Sequence, residues 1–170
     1  MRILGIDPAI GGRGAAPVGL AIIDTGARAL DVCSTLRFCA DDTTQQRLQA
    51  IAREMRRMIV QHPRIDIVAI EDAHYTCNIQ TTKALAYVVG AALLAAGDIP
   101  ALVVQPTAGK LALTGVGRAD KVQMVALAHA AWGLPEGLRR AEREAVADAI
   151  GAALAGEALA RQQILERKAG

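Results

Sequence analysis

The chain has 170 residues, 52% of them hydrophobic, and a formal net charge of +2. That length can bury a core in a single domain spanning 1–170 without disulfides or a structural metal, and the apolar content excludes a disordered chain. The near-balanced charge excludes a uniformly basic nucleic-acid binder, although 19 Lys and Arg can still form a local basic patch.

Phe38, Tyr75, Tyr87 and Trp132 are the whole aromatic complement, so Ala, Val, Leu and Ile must fill the core. Cys33, Cys39 and Cys77 lack Cys-x-x-Cys spacing. They read as packing residues with free thiols, which suit a reducing cytoplasm, and not as a zinc site. The N-terminus shows no signal-peptide pattern, and the uncharged run Ala84–Gly97 is short for a bilayer. The expectation is a soluble cytoplasmic protein with no membrane partner.

In chain order, Arg2–Ile6 reads as a buried strand ending at Asp7-Pro8, followed by a Gly-rich loop, Ile10–Ala16. Val18–Asp24 and Leu30–Phe38 are predicted strands, with short turns that suggest an antiparallel meander. Asp41–Thr44 supplies N-cap residues for a helical stripe of Leu48, Ile51, Ala52, Met55, Met58 and Ile59, closed by His62-Pro63. Ile65–Ile70 is a fourth strand ending at Glu71-Asp72; a helix follows over Ile79–Ala96, stopped by Gly97. Ala101–Val104 is a fifth strand. Helices are predicted over Gly109–Leu113, Ala119–Trp132 and Arg139–Leu165. The order βββαβαβα, then more helix, describes an α/β protein: a five-stranded mixed sheet flanked by helices, as in the ribonuclease-H-like fold.

The acids carry the chemistry. Asp7 and Glu71 each follow an apolar strand. On parallel neighbouring strands, roughly 5 Å apart, the two carboxylates repel unless protonated or bridged by a cation. Oxygen ligands at such spacing favour Mg²⁺ or Mn²⁺. Asp148 lies in the apolar stretch Ala145–Leu154, where an unpartnered aspartate is costly to bury, and Glu144 lies one turn earlier. Together the four can hold a two-metal site. Each acid alone has a plain alternative: a turn for Asp7-Pro8, a solvated strand end for Glu71, an exposed helix face for Asp148. Lys110 and Lys121 bracket a loop with Gly115, Gly117 and Arg118 that suits phosphate contact, or is simply a solvated basic turn.

Ile3–Pro8 (ILGIDP), Ala69–Glu71 (AIE), Thr114–Lys121 (TGVGRADK) and Val146–Ala153 (VADAIGAA) resemble, in order and spacing, the motifs of the RuvC family of Holliday-junction resolvases. The resemblance implies a homodimeric, Mg²⁺-dependent endonuclease with two ions per active site, Mn²⁺ substituting. Its substrate would be a four-way DNA junction, and a branch-migration helicase would be its partner. It assigns Asp7, Glu71 and Asp148 as catalytic and metal-binding acids, and Lys110 and Lys121 as lysines near the scissile DNA. The family's fourth ligand falls on Ala145, and Glu144 is read as its substitute, catalytic and metal-binding. Ala9 replaces a family glycine. The family's junction-stacking aromatic aligns with His74, followed by Tyr75, so both are assigned with Arg118 to DNA binding. Competing readings are a ribonuclease-H-like nuclease for other branched DNA, an actin-like ATPase domain, and a junction-binding module without catalysis. Pro8-Ala9 stands where the ATPase reading needs a phosphate-loop glycine.

Overall fold

A computed structural model describes residues 1–10, 16–73 and 78–169. The elements are β1 (Arg2–Asp7), β2 (Val18–Asp24), β3 (Ala29–Leu36), α1 (Thr44–Gln61), β4 (Ile67–Glu71), α2 (Ile79–Ala96), β5 (Ala101–Val104), α3 (Pro106–Thr114), α4 (Lys121–Trp132) and α5 (Arg140–Ala169). The sheet order is β3-β2-β1-β4-β5. β1–β2 and β2–β3 pair antiparallel, β1–β4 and β4–β5 parallel. This is the mixed five-stranded sheet that the element order predicts.

Boundaries differ where local geometry intervenes. The fourth strand starts at Ile67, not Ile65, because Arg64 turns the chain with φ 75° before pairing begins. α1 opens at a capping box: the Thr43 hydroxyl accepts from the Gln46 amide, and the Gln46 side chain accepts from the Thr43 amide at 2.7 Å. α3 begins at Pro106, not Gly109, since proline's fixed φ suits the first helical turn. α5 continues past Leu165 to Ala169. Cys33 packs at the edge of the core, but Cys39 is exposed and packs nothing; Cys77 lies outside the described residues.

Strand alternation sorts the core into two layers. Leu4, Ile6, Leu20, Ile22, Val68 and Ile70 meet α1 and α2 on one face. Ile3, Ala21, Ile23, Ile67 and Ala69 meet α4 and α5 on the other. Gly5 and Gly19 share that second face, and α5 lies almost on their backbones. A Cβ on Gly5 would fall 2.0 Å from the Ala149 carbonyl oxygen, and one on Gly19 would fall 2.1 Å from that of Ala145. The helix answers with Gly156, whose own Cβ would fall 2.5 Å from that of Ala69.

α2 starts at Ile79, ahead of the uncharged run, and the whole helix, with mean hydropathy 1.4, is long and apolar enough to cross a membrane by length and composition. A core helix has the same composition, and Leu85, Val88, Ala92 and Ala96 of α2 pack into the first layer beside α1.

Because backbone, not a yielding side chain, blocks position 5, Gly5→Ala should cost about 3 kcal/mol. Urea denaturation of parent and variant checks this; equal midpoints would show that α5 lifts without penalty.

Candidate active site

The alternation that buries Ile3 and Gly5 towards α5 carries Asp7 to the same face. The parallel partner strand repeats the pattern with Ile67, Ala69 and Glu71. β1 and β4 are neighbours in register, Ile6 opposite Ile70, so both acids leave the sheet at one edge. Asp148 arrives from α5, buried to 5% exposure among alanines. The three line one cavity of about 490 Å³ together with Pro8, Ile10 and Lys121.

Their electrostatics reflect crowding. Burial pushes Asp7 well above the usual carboxylate range; the charges of Glu71 and Asp148 push it further, and Lys121 partly offsets them. Glu71 is raised to about 7, by burial first and Asp148 second, against Lys121 and Lys110. The Lys121 ammonium is ion-paired with Asp148. Burial works against its charge, yet Asp148, Asp7 and Glu71 together hold its pKa above the ordinary lysine value.

Neighbouring helices position the two lysines. Asp120 caps α4 through a capping box with Gln123, setting Lys121 at the first helical position, while buried Met124 and Ala128 anchor the helix in the second layer. α3 touches α5 through Gly109 and Gly151, with backbone so close that a Cβ on Gly151 would fall 3.0 Å from the Gly109 oxygen. This holds the next residue, Lys110, close enough to act on Glu71. At the start of α3, the Gln105 side-chain amide donates to Asp72 at 2.8 Å, fastening the end of β4 to that helix. Sequence reading gave Asp72 and Gln105 no role; the only signal was a second acid directly after Glu71. Arg118 is exposed in the loop after Gly115, which closes α3 in the left-handed conformation.

Glu144 is not brought to the cluster. Its carboxylate is held by Arg140 at 2.9 Å, and it lines a different groove. The reason is the rotation of α5. Ala145 and Ala149 lie about 60° and 100° from Asp148 around the helix axis, and Glu144 about 40° on the opposite side. The contacts of Ala145 with Gly19 and of Ala149 with Gly5 set the sheet-facing direction between those two alanines. Glu144 therefore points some 120° away from the sheet. His74 and Tyr75, the expected DNA-stacking residues, lie outside the described residues.

Whether the cluster fits a cation can be judged from its charges. Asp7, Glu71 and Asp148 offer hard oxygen donors that repel one another, and the ammonium of Lys121 already serves as a cation among them. That chemistry fits a divalent ion, although no group of three or more His, Cys, Asp or Glu among the described residues is preformed as a metal cage.

A family model described as crossover junction endodeoxyribonuclease RuvC matches residues 3–156. The chain is similar to the protein of that name from Parafrankia sp. (strain EAN1pec), 33% identical over 96% of this chain and 92% of the relative. It is similar also to the one from Koribacter versatilis (strain Ellin345), 32% identical over 91% and 90%. Among solved structures, T. thermophilus RuvC in complex with Holliday junction substrate superposes with a TM-score of 0.78 at 25% identity, covering 96% of both chains. With its ribonuclease-H-like sheet and a match along nearly its whole length, the chain belongs to the RuvC family of crossover junction endodeoxyribonucleases.

Proposed function

We propose that this protein is a structure-specific endonuclease that resolves four-way DNA junctions by metal-dependent phosphodiester hydrolysis in the cytoplasm. One observation carries the reading: three acids from two parallel strand ends and one helix share a cavity in which burial and mutual repulsion raise Asp7 and Glu71. A solvated turn or strand end would not do this. Family membership supports the substrate class.

In this reading Asp7, Glu71 and Asp148 hold the cations, two Mg²⁺ in the finer version, with Mn²⁺ substituting. When bound, such ions activate water and neutralise the leaving oxygen. Asp7 and Glu71 draw the cations to the sheet edge, and Asp148 closes the cavity from above. Lys121 and Lys110 attract the phosphate being cut and offset charge on the acids, while Pro8 and Ile10 form an apolar part of the cavity wall. His74, Tyr75 and Arg118 remain proposed DNA contacts, and a branch-migration helicase a proposed partner.

A homodimer through α2 belongs to the same proposal. Its inner residues pack on α1 and the sheet, yet Ile79, Tyr87 and Leu94 are 61%, 56% and 80% exposed. An apolar patch of this kind asks for cover. A two-fold pair would also present two active sites to the two equivalent strands of a junction.

Three outcomes test this. With a labelled four-way junction beside linear duplex and a three-way fork, the parent should nick the junction only with Mg²⁺. Asp7→Asn, Glu71→Gln and Asp148→Asn should each lose more than the roughly 100-fold typical of losing an orienting group, while still binding DNA. Near-parental nicking by Asp7→Asn would sink the assignment.

The raised Glu71 pKa has a definite sign in stability. Its folded value of about 7 lies above the unfolded 4.5, so its contribution is fully present below pH 4.5 and is lost as pH rises through 7. In chelator at pH 8, Glu71→Gln should therefore be more stable than the parent by about 3 kcal/mol, and the difference should vanish near pH 4.5. Added Mg²⁺ should stabilise the parent more than the variant. Denaturation curves at both pH values, with and without metal, decide it.

For the dimer, sedimentation should give a two-subunit particle at micromolar concentration, and Leu94→Glu should give a folded monomer. A monomeric parent would refute it.

A further inference from the structure

A groove of about 360 Å³ opens beside the acid cluster, between the starts of α4 and α5. Its floor is apolar, with Val122, Val125 and Leu138; Val122 is 71% exposed. Its rim carries Arg140, Arg143 and Glu144. Lys121 lines both this groove and the cavity of the acids, so the two lie next to each other with Lys121 at the divide.

The charges of the rim do not cancel. Glu142 is taken by Arg37 at 3.0 Å and by the Arg139 backbone amide at 2.9 Å. Glu144 is taken by Arg140, and Asp148 by Lys121. Every acid at this end of α5 is thus matched, and neither Arg139 nor Arg143 has an ion-pair partner among the described residues. Arg143 is nevertheless oriented: its Nε donates to the Leu138 carbonyl at 3.0 Å, which leaves the outer nitrogens of the guanidinium facing away from that anchor. Arg140 has a side chain that is 86% exposed and is held only by Glu144.

Cations along a rim above an apolar floor match a sugar–phosphate backbone, which presents anionic oxygens on one side and deoxyribose carbons on the other. We infer that this groove seats the DNA strand adjoining the scissile phosphate, with Arg140 and Arg143 on phosphates and Glu144 as the counter-ion of the groove. The inference rests on the nuclease reading above and extends it to a binding subsite. It also gives Glu144 a role other than metal ligand: it holds Arg140 in the free protein, and a phosphate must displace it. The sugars of the strand lie on Val122 and Val125, and the next phosphate passes over Lys121 into the acid cavity.

The test is junction binding in EDTA, measured by fluorescence anisotropy over a series of salt concentrations, with Mg²⁺-dependent nicking by the parent as the control. Each lost phosphate contact lowers the slope of log K against log salt by about 0.9. The double variant Arg140→Ala/Arg143→Ala should therefore lose about 1.8 of slope and bind several-fold more weakly. Arg143→Lys, which keeps the charge, should retain most of the slope and shows that the loss is electrostatic. Glu144→Gln frees Arg140 and should bind the junction more tightly than the parent. A parent that binds and nicks the junction while the double variant keeps its affinity and slope overturns the groove alone. A parent that neither binds nor nicks overturns the nuclease reading and the groove with it. Weaker DNA binding by Glu144→Gln in EDTA would overturn its assignment as the counter-ion of the groove, and a loss of Mg²⁺ affinity in DNA-free calorimetry would return it to the metal.

Discussion

The close approach of α5 to the sheet is the constraint on which the rest of this structure depends. Helix backbone and strand backbone can come this near only where no Cβ intervenes, and Gly5, Gly19 and Gly156 clear the path. The alanines of α5 then pack directly on β1, β2 and β4, while Ile3, Ile23, Ile67 and Ile150 fill the space on either side of these contacts. What the arrangement achieves is placement. Asp148 is delivered to the edge where β1 and β4 end, with its neighbours on both sides locked against the sheet. A bulkier interface would hold the same helix further out and leave the third acid short of the other two.

The site so assembled is unfavourable by itself. Two strand-end carboxylates and one helix carboxylate share a partly desolvated cavity, and the raised pKa values of Asp7 and Glu71 record the free energy this consumes. Lys121 relieves part of it through its pair with Asp148. An arrangement of buried carboxylates that is relieved by positive charge suits a cation-dependent site. The same lysine stands between the acid cavity and the arginine-rimmed groove, so the acids and the cations of this end of the molecule lie side by side.

Net charge conceals this organisation. An overall +2 gives no hint of a basic track, yet Glu142, Glu144 and Asp148 of α5 are matched one by one, by Arg37, Arg140 and Lys121, and Arg139 and Arg143 have no ion-pair partner among the described residues. Pairing in space, not composition, decides which cations are available to DNA. On the opposite face of the sheet, α2 shows the complementary case: its composition alone fits a membrane span as well as a core helix, and its packing beside α1 shows that half of it is ordinary core.

The sequence by itself determined what depends on neighbours along the chain. Asp7 and Glu71 each stand at the end of a short apolar strand, so their meeting at one sheet edge was readable once the two strands were taken as parallel neighbours. The element order predicted the mixed sheet for the same reason, and the motif set pointed to the family. Only the tertiary structure decided how far α5 is rotated about its axis. Helical arithmetic relative to Asp148 leaves Glu144 about 40° away and seemingly well placed. It contains no information about which direction the sheet lies in. That direction is set by Ala145 and Ala149 pressing on Gly19 and Gly5, contacts between segments more than a hundred residues apart in the chain. They turn Glu144 towards Arg140 and the groove, because a helix rotates as a rigid unit and its tightest backbone contact determines where every other side chain points.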